Sequence, residues 1–180
     1  MGHSLLCPNQ YKAASEVYMA PPNPVQYPPP VPGLEFLATF EVELGPIQEL
    51  GDIGIGRRRV IPITGGKFEG PDFKGKVLCL GADWQLVFQD GTAVIDTRYG
   101  LETEDGALIY ITTNGFRHGP PEVIAAIGRG EAVDPAKYYF RVNIRFETGD
   151  KKYLWLNRTL AVGAGMRLAN SVLFTGYRVT

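Results

Sequence analysis

The chain has 180 residues, a formal net charge of -1, 44% hydrophobic residues and 21% charged residues. That length supports one domain with a buried core, and the near-zero charge lacks the field that nucleic acid or an anionic membrane surface requires. No apolar run approaches the roughly 20 residues that span a bilayer, and MGHSLLCPNQYK lacks the basic and long apolar regions of a secretory signal, so a cytoplasmic protein with no membrane or nucleic-acid partner is expected.

Residues 1–32 read as a proline-rich N-terminal arm. PPNPVQYPPPVP places seven prolines in twelve residues, and proline removes a ladder donor and fixes φ. A β-barrel domain is expected over 33–180. In LEFLATFEVEL (34–44), Leu34, Phe36, Ala38, Phe40, Val42 and Leu44 alternate with polar residues, the pattern of a half-buried antiparallel strand. RRRVIPIT (57–64) follows and is expected to end at Gly65-Gly66. GKVLCL leads into ADWQLVFQ, and TAVIDTRYGLET (92–103) follows the Asp90-Gly91 turn. ALIYITTNGF (107–116) comes next. PPEVIAAIGRG (120–130) is the one expected helix, with prolines at its start and glycines at its end. YYFRVNIRFET (138–148), KYLWLNRTLAVG (152–163) and SVLFTGYRV (171–179) complete the strand pattern. The fold class is therefore all-β, a single antiparallel barrel of about eight or more strands, because closure removes the edges of a long meander.

Cys7 and Cys79 are the only cysteines, and His3 and His118 the only histidines. No disulfide framework, zinc site or other cofactor is expected from them. GIGRRR (54–59) reads as a surface cation cluster. PITGGKFEGP lacks the lysine-threonine ending of a phosphate loop.

The strands carry polar rows. Asp83 and Gln85 share one face, as do Asp96 and Arg98; Tyr110, Thr112 and Asn114; Tyr139, Arg141 and Asn143; and Tyr153, Trp155 and Asn157. Taken one strand at a time, a polar row is solvated surface. Across the set, Tyr, Trp, Arg and Asn replace the Lys and Glu of an ordinary exposed face, and a barrel of about eight strands has room for one small ligand. The rows are therefore read as the lining of an interior pocket. The outer apolar face then needs a cover, such as a second subunit, the helix or the proline-rich arm; the first of these makes a homodimer or higher homo-oligomer one expectation. Asp83 and Asp96 read as structural carboxylates paired with Arg98 or Arg141 rather than as an acid/base couple.

PITGGKFEGP, GKVLCLGADWQLV, DGTAVIDTRYGLETEDGALIYI, DPAKYYFRVNIRFETGDKKYLWLNRTLAVG and GYRV together resemble the domain-of-unknown-function 3237 family over about residues 34–179. The resemblance implies a lipocalin-like barrel, with Asp83, Trp84, Gln85, Arg98, Tyr139, Arg141, Trp155 and Asn157 at the family's motif positions. TTNGFRHG (112–119) departs from a more basic segment in many members. Some fungal relatives belong to aromatic natural-product pathways, including chalcone-to-flavanone ring closure.

The expected activity is a cofactor-independent isomerase or cyclase acting on a small aromatic substrate, for example by adding a phenol oxygen to a conjugated enone. Such a reaction needs a folded substrate, a favoured phenolate and a stabilised enolate. Arg98 and Arg141 are the candidate cations, and Tyr139 and Tyr110 the candidate proton donors. Asp83, Trp84, Gln85, Asn114, Arg117, Trp155 and Asn157 are candidate substrate-binding residues. The competing readings are a non-catalytic binding barrel for the same kind of ligand, and an interaction module acting through the proline-rich arm.

Overall fold

Alternating apolar and polar residues become a closed sheet in the computed structural model, which describes residues 29–180. The strands are β1 (Leu34–Leu44), β2 (Gln48–Asp52), β3 (Arg57–Glu69), β4 (Lys74–Asp83), β5 (Leu86–Val87), β6 (Ala93–Thr103), β7 (Leu108–His118), β8 (Tyr139–Glu147), β9 (Ala161–Arg167) and β10 (Ser171–Val179). Eight antiparallel strands form the barrel in the order β1-β10-β9-β8-β7-β6-β4-β3, and β3 pairs back onto β1 to close it. The short β2 adds to β3, and β5 bridges β3 and β6. The helix α1 (Pro121–Gly128) lies between β7 and β8. Most of the expected arm lies outside the described residues. Among the described residues no helix is long and apolar enough to cross a membrane.

Three local readings change. Gly65 and Gly66 do not end β3, which runs through them to Glu69. Both have positive φ, and a Cβ on Gly66 would stand 2.0 Å from the Glu41 carbonyl oxygen. These glycines let β3 bend against β1 at a register shift. In β1, a shift between Phe36 and Ala38 turns Leu34 and Phe36 outward, where Phe36 meets Tyr177 edge-on. Residues 152–163 are not one strand. Leu154–Arg158 form a 3-10 turn before β9 begins at Ala161. The Asn157 side chain holds that turn by accepting from Thr148 N at 2.8 Å and donating to Thr148 O at 2.9 Å.

One end of the barrel is filled with aromatic side chains. Phe40 stacks on Phe174 at 4.6 Å and on Phe68 at 5.9 Å. Phe73 and Trp155, from two connections at that end, meet at right angles. Tyr153 donates its hydroxyl to Asp105 at 2.9 Å, tying the β8–β9 connection to the β6–β7 turn. Each buried Phe contributes roughly 1.5–3 kcal/mol by leaving water. The opposite end is flanked by the β5–β6 and β9–β10 turns and by α1. Its Ile124 faces Gly91, and the following Gly130 lies against Ala169.

Candidate functional site in the barrel interior

The side chains that point inward come from the apolar rows, with polar residues set among them. On β6 the inward row is Ala93, Ile95, Thr97, Tyr99, Leu101 and Thr103. On β7 it is Ile109, Ile111, Thr113 and Arg117. Asp83, at the end of β4, pairs with Ile61 on one side and Thr97 on the other, and Thr97 pairs with Thr113. The register thus sets a carboxyl and two hydroxyls side by side on an otherwise aliphatic wall.

Between the aromatic plug and the open end lies a cavity whose wall includes Ile63, Ile95, Val142 and Phe174, with Asp83, Gln85, Tyr99, Arg117 and Arg167 as its main polar members. It holds about 580 Å³ of atom-free space counted out to its mouth, of which room for water-sized occupants is about 50 Å³. That smaller figure holds a few waters. An aromatic guest therefore has to push side chains aside.

Asp83 is 8% exposed. Its Oδ2 accepts from Gln85 Nε2 at 2.7 Å, and its Oδ1 accepts from Asp96 N at 3.1 Å. Burial pushes its carboxyl pKa up, and those two hydrogen bonds offset part of the rise. Gln85 is turned by Arg59, whose Nε donates to Gln85 Oε1 at 2.9 Å, with a second bond from Nη2. Arg167 is fastened at Nη1, which donates to Leu168 O at 2.6 Å and Ser171 O at 2.9 Å. Its backbone N–H donates to the Tyr138 hydroxyl at 2.9 Å.

Arg117 differs from both. It is 7% exposed, forms no ion pair among the described residues, and its buried Nε has no hydrogen-bond partner. Burial, reinforced by Arg59 and Arg167, lowers its pKa to about 10, so it stays charged at neutral pH. The buried Tyr99 hydroxyl also lacks a partner, and burial raises its pKa. Among the described residues, three guanidinium groups thus stand around or near a cavity whose wall carries one carboxyl, Asp83.

The structure sorts the expected site residues by strand parity. Asp83, Gln85 and Arg117 line the cavity. Arg98, Arg141, Tyr139 and Tyr110 do not. They occupy outward positions and are exposed, because barrel closure buries the apolar rows and leaves the polar rows outside. Arg98 pairs with Asp96 at 3.2 Å, and Asn114 donates to Asp96 at 2.9 Å. Arg141 lies 5.5 Å from the Tyr139 ring centroid. Trp84 is 44% exposed on the outer face. Trp155 belongs to the aromatic plug and Asn157 to the loop clasp. Asp83 meets neither Arg98 nor Arg141; Gln85 is its side-chain partner.

Sequence reasoning missed Arg59, Tyr99 and Arg167. Parity carried a signal for the first two, since Arg59 is in step with Ile61 and Ile63, and Tyr99 with Ile95 and Leu101. Arg167 is in step with Gly163 and Gly165, whose missing side chains hide the alternation.

The model of the family described as "Protein of unknown function (DUF3237)" matches residues 32–179. The chain belongs to the DUF3237 family. This DUF3237 barrel is 39% identical over 145 residues to a UPF0311 protein of Rhodopseudomonas palustris, covering 81% of this chain and 95% of that protein. A β-barrel-like protein of Acinetobacter baumannii, known from its crystal structure, is 52% identical with a TM-score of 0.77, covering 86% of this chain and all of that one. The hydroalkoxylation enzyme phnH of Penicillium herquei is 32% identical over 151 residues, covering 83% of this chain and 84% of that enzyme. The DUF3237 chain therefore shares its family with an enzyme as well as with proteins of unassigned activity.

Proposed function

We propose that this DUF3237 barrel is a cyclase that adds a substrate hydroxyl across a conjugated carbon–carbon double bond, closing an oxygen heterocycle on a small aromatic molecule. Closure of a hydroxychalcone to a flavanone is the type reaction. The observation that carries the reading is Asp83, a buried carboxyl on the wall of a largely apolar cavity that also holds a charged guanidinium. Kinship with a hydroalkoxylation enzyme supports the reaction class.

The chemistry is an isomerisation. The hydroxyl loses its proton, and its oxygen bonds to the β-carbon. The double-bond electrons move to the carbonyl oxygen as an enolate. A proton then returns to the α-carbon, and the carbonyl re-forms. Asp83 is the proton carrier, because it is a carboxyl on the cavity wall and burial pushes its pKa up, favouring the neutral form. Positioned acid–base catalysis of this kind contributes about 10²–10⁴-fold. Arg117 opposes the charge as it travels from the attacking oxygen to the carbonyl oxygen. Ile63, Ile95, Val142 and Phe174 fold the rings together and exclude water. A two-ring substrate exceeds the free room, so its entry displaces apolar side chains of the wall.

The test is cyclisation of a panel of hydroxychalcones by the full chain, followed by loss of chalcone absorbance and by product chirality. The expected result is an enantiomeric excess and a rate above buffer, falling about 100-fold or more in Asp83→Asn with the melting temperature retained. Racemic product at the buffer rate from folded protein across the panel rejects the reading. Bound chalcone without turnover instead identifies a carrier.

A further inference from the structure

Buried polar groups in folded proteins are nearly always hydrogen-bonded, and each exception needs a cause. Among the described residues two buried side-chain polar atoms lack a partner, Arg117 Nε and the Tyr99 hydroxyl, and both residues line the same cavity. Other charged and amide side chains on or beside the wall are engaged. Arg59 is bound to Gln85, Gln85 to Asp83, and Arg167 to two backbone carbonyls. The two vacant donors are not neighbours. Arg117 pairs across the sheet with Ala93, and Tyr99 lies six residues farther along β6, so the backbone at the two positions is roughly 20 Å apart by the rise of an antiparallel strand.

We propose that the cavity binds its substrate as a preformed aromatic oxyanion, a phenolate, with the Arg117 guanidinium as its anchor and the Tyr99 hydroxyl donating to a second oxygen farther down. The proposal rests on the ring-closure reading and assigns the protonation state in which that substrate arrives. Three features favour the anion over the neutral phenol. Arg117 is a buried cation that forms no ion pair among the described residues. The charged groups nearest it in effect are Arg59 and Arg167, which repel it, and Asp83, which attracts it, so positive charge is in excess. Asp83 is already engaged by Gln85 and the Asp96 backbone, which leaves the Arg117 edge open to a guest.

The assignment divides the work within the site. The attacking oxygen arrives without its proton, so no base is required at the first step. Asp83, whose neutral form burial favours, gives a proton to the α-carbon and regains one from solvent, where the phenol's proton was released on ionisation. The preferred substrate is then a phenol acidified by conjugation with a carbonyl, elongated, and bearing oxygens toward both ends.

4-Nitrophenol tests the anchor, because its yellow anion and colourless acid are separately visible. The full chain is titrated with the probe across its ionisation range. A tenfold preference for the anion lowers the bound probe's pKa by about one, equivalent to about 1.4 kcal/mol. Arg117→Gln is expected to abolish the shift, and Arg117→Lys to keep part of it as a point charge. Melting curves confirm that each variant is folded. Absence of binding by the wild type at millimolar probe, binding with an unchanged or raised pKa, or a shift that survives in folded Arg117→Gln overturns the proposal. The wild-type titration decides by itself should that variant not fold. A lowered probe pKa without hydroxychalcone turnover keeps the anion site and removes the ring-closure reading; turnover with no lowering does the reverse.

Discussion

Replacing Arg117 with methionine should make the protein more stable, which is the opposite of what removal of a buried paired charge does. Arg117 ordinarily has a pKa of 12.5, and in the fold it falls to about 10. Each tenfold loss of proton affinity is about 1.4 kcal/mol, so at neutral pH the charged form costs the folded state about 3 kcal/mol. Local relaxation reduces that figure, and a gain of about 1–3 kcal/mol is expected from Arg117→Met. For a domain of this size that corresponds to a rise in melting temperature of roughly 2–10 °C. The pH dependence has a definite sign. The unfolded chain holds this proton more tightly, so the penalty is constant below about pH 10 and diminishes as pH rises above it. Urea midpoints and scanning calorimetry at pH 7, for wild type and Arg117→Met, measure the effect. A fall in melting temperature of more than about 2 °C at unchanged unfolding slope refutes the idea that Arg117 is an uncompensated cation.

Three further outcomes follow from the geometry. Arg98→Ala and Arg141→Ala, both on the outer face, should leave hydroxychalcone cyclisation within about twofold of wild type, since exposed charges at a distance are screened; a loss near 100-fold moves the chemistry outside the barrel. Asp83 has its carboxyl pKa raised, so its favourable contribution is present below the usual carboxylate range and is lost as pH rises through the folded value. The stability of Asp83→Asn relative to wild type should accordingly increase from pH 4 to pH 8 in urea unfolding, and a decrease contradicts the assignment. Gly81→Ala should cost roughly 3 kcal/mol or more, because Gly81 sits at φ +137° and a Cβ would lie 2.0 Å from the Arg98 carbonyl oxygen; a chemical-denaturation loss below about 1 kcal/mol would show that β4 can shift there.

Period-two alternation, turn dipeptides and the proline-started helix were legible along the chain, because each is a local consequence of backbone geometry. The barrel, its strand count and α1 follow from those signals. The β3 glycines misled because the same residue that ends a strand also permits a bulge, and only the passage of β1 behind Gly66 distinguishes them. LWLNR misled because its alternation is overridden by the Asn157 clasp and by burial of Tyr153 and Leu156.

The sequence by itself determined that residues of opposite parity lie on opposite faces. It did not determine which face closes inward, since that depends on the balance of burial over eight strands at once. Closure buried the rows richest in Ile, Val and Phe and carried with them the few polar residues in the same parity, Asp83, Gln85, Tyr99 and Arg117. The same closure left Arg98, Tyr110, Tyr139 and Arg141 outside. A carboxyl on one strand and a cation on another become partners in a site only when both are withdrawn from water into one hollow, where an unmatched charge is costly enough to select what binds it.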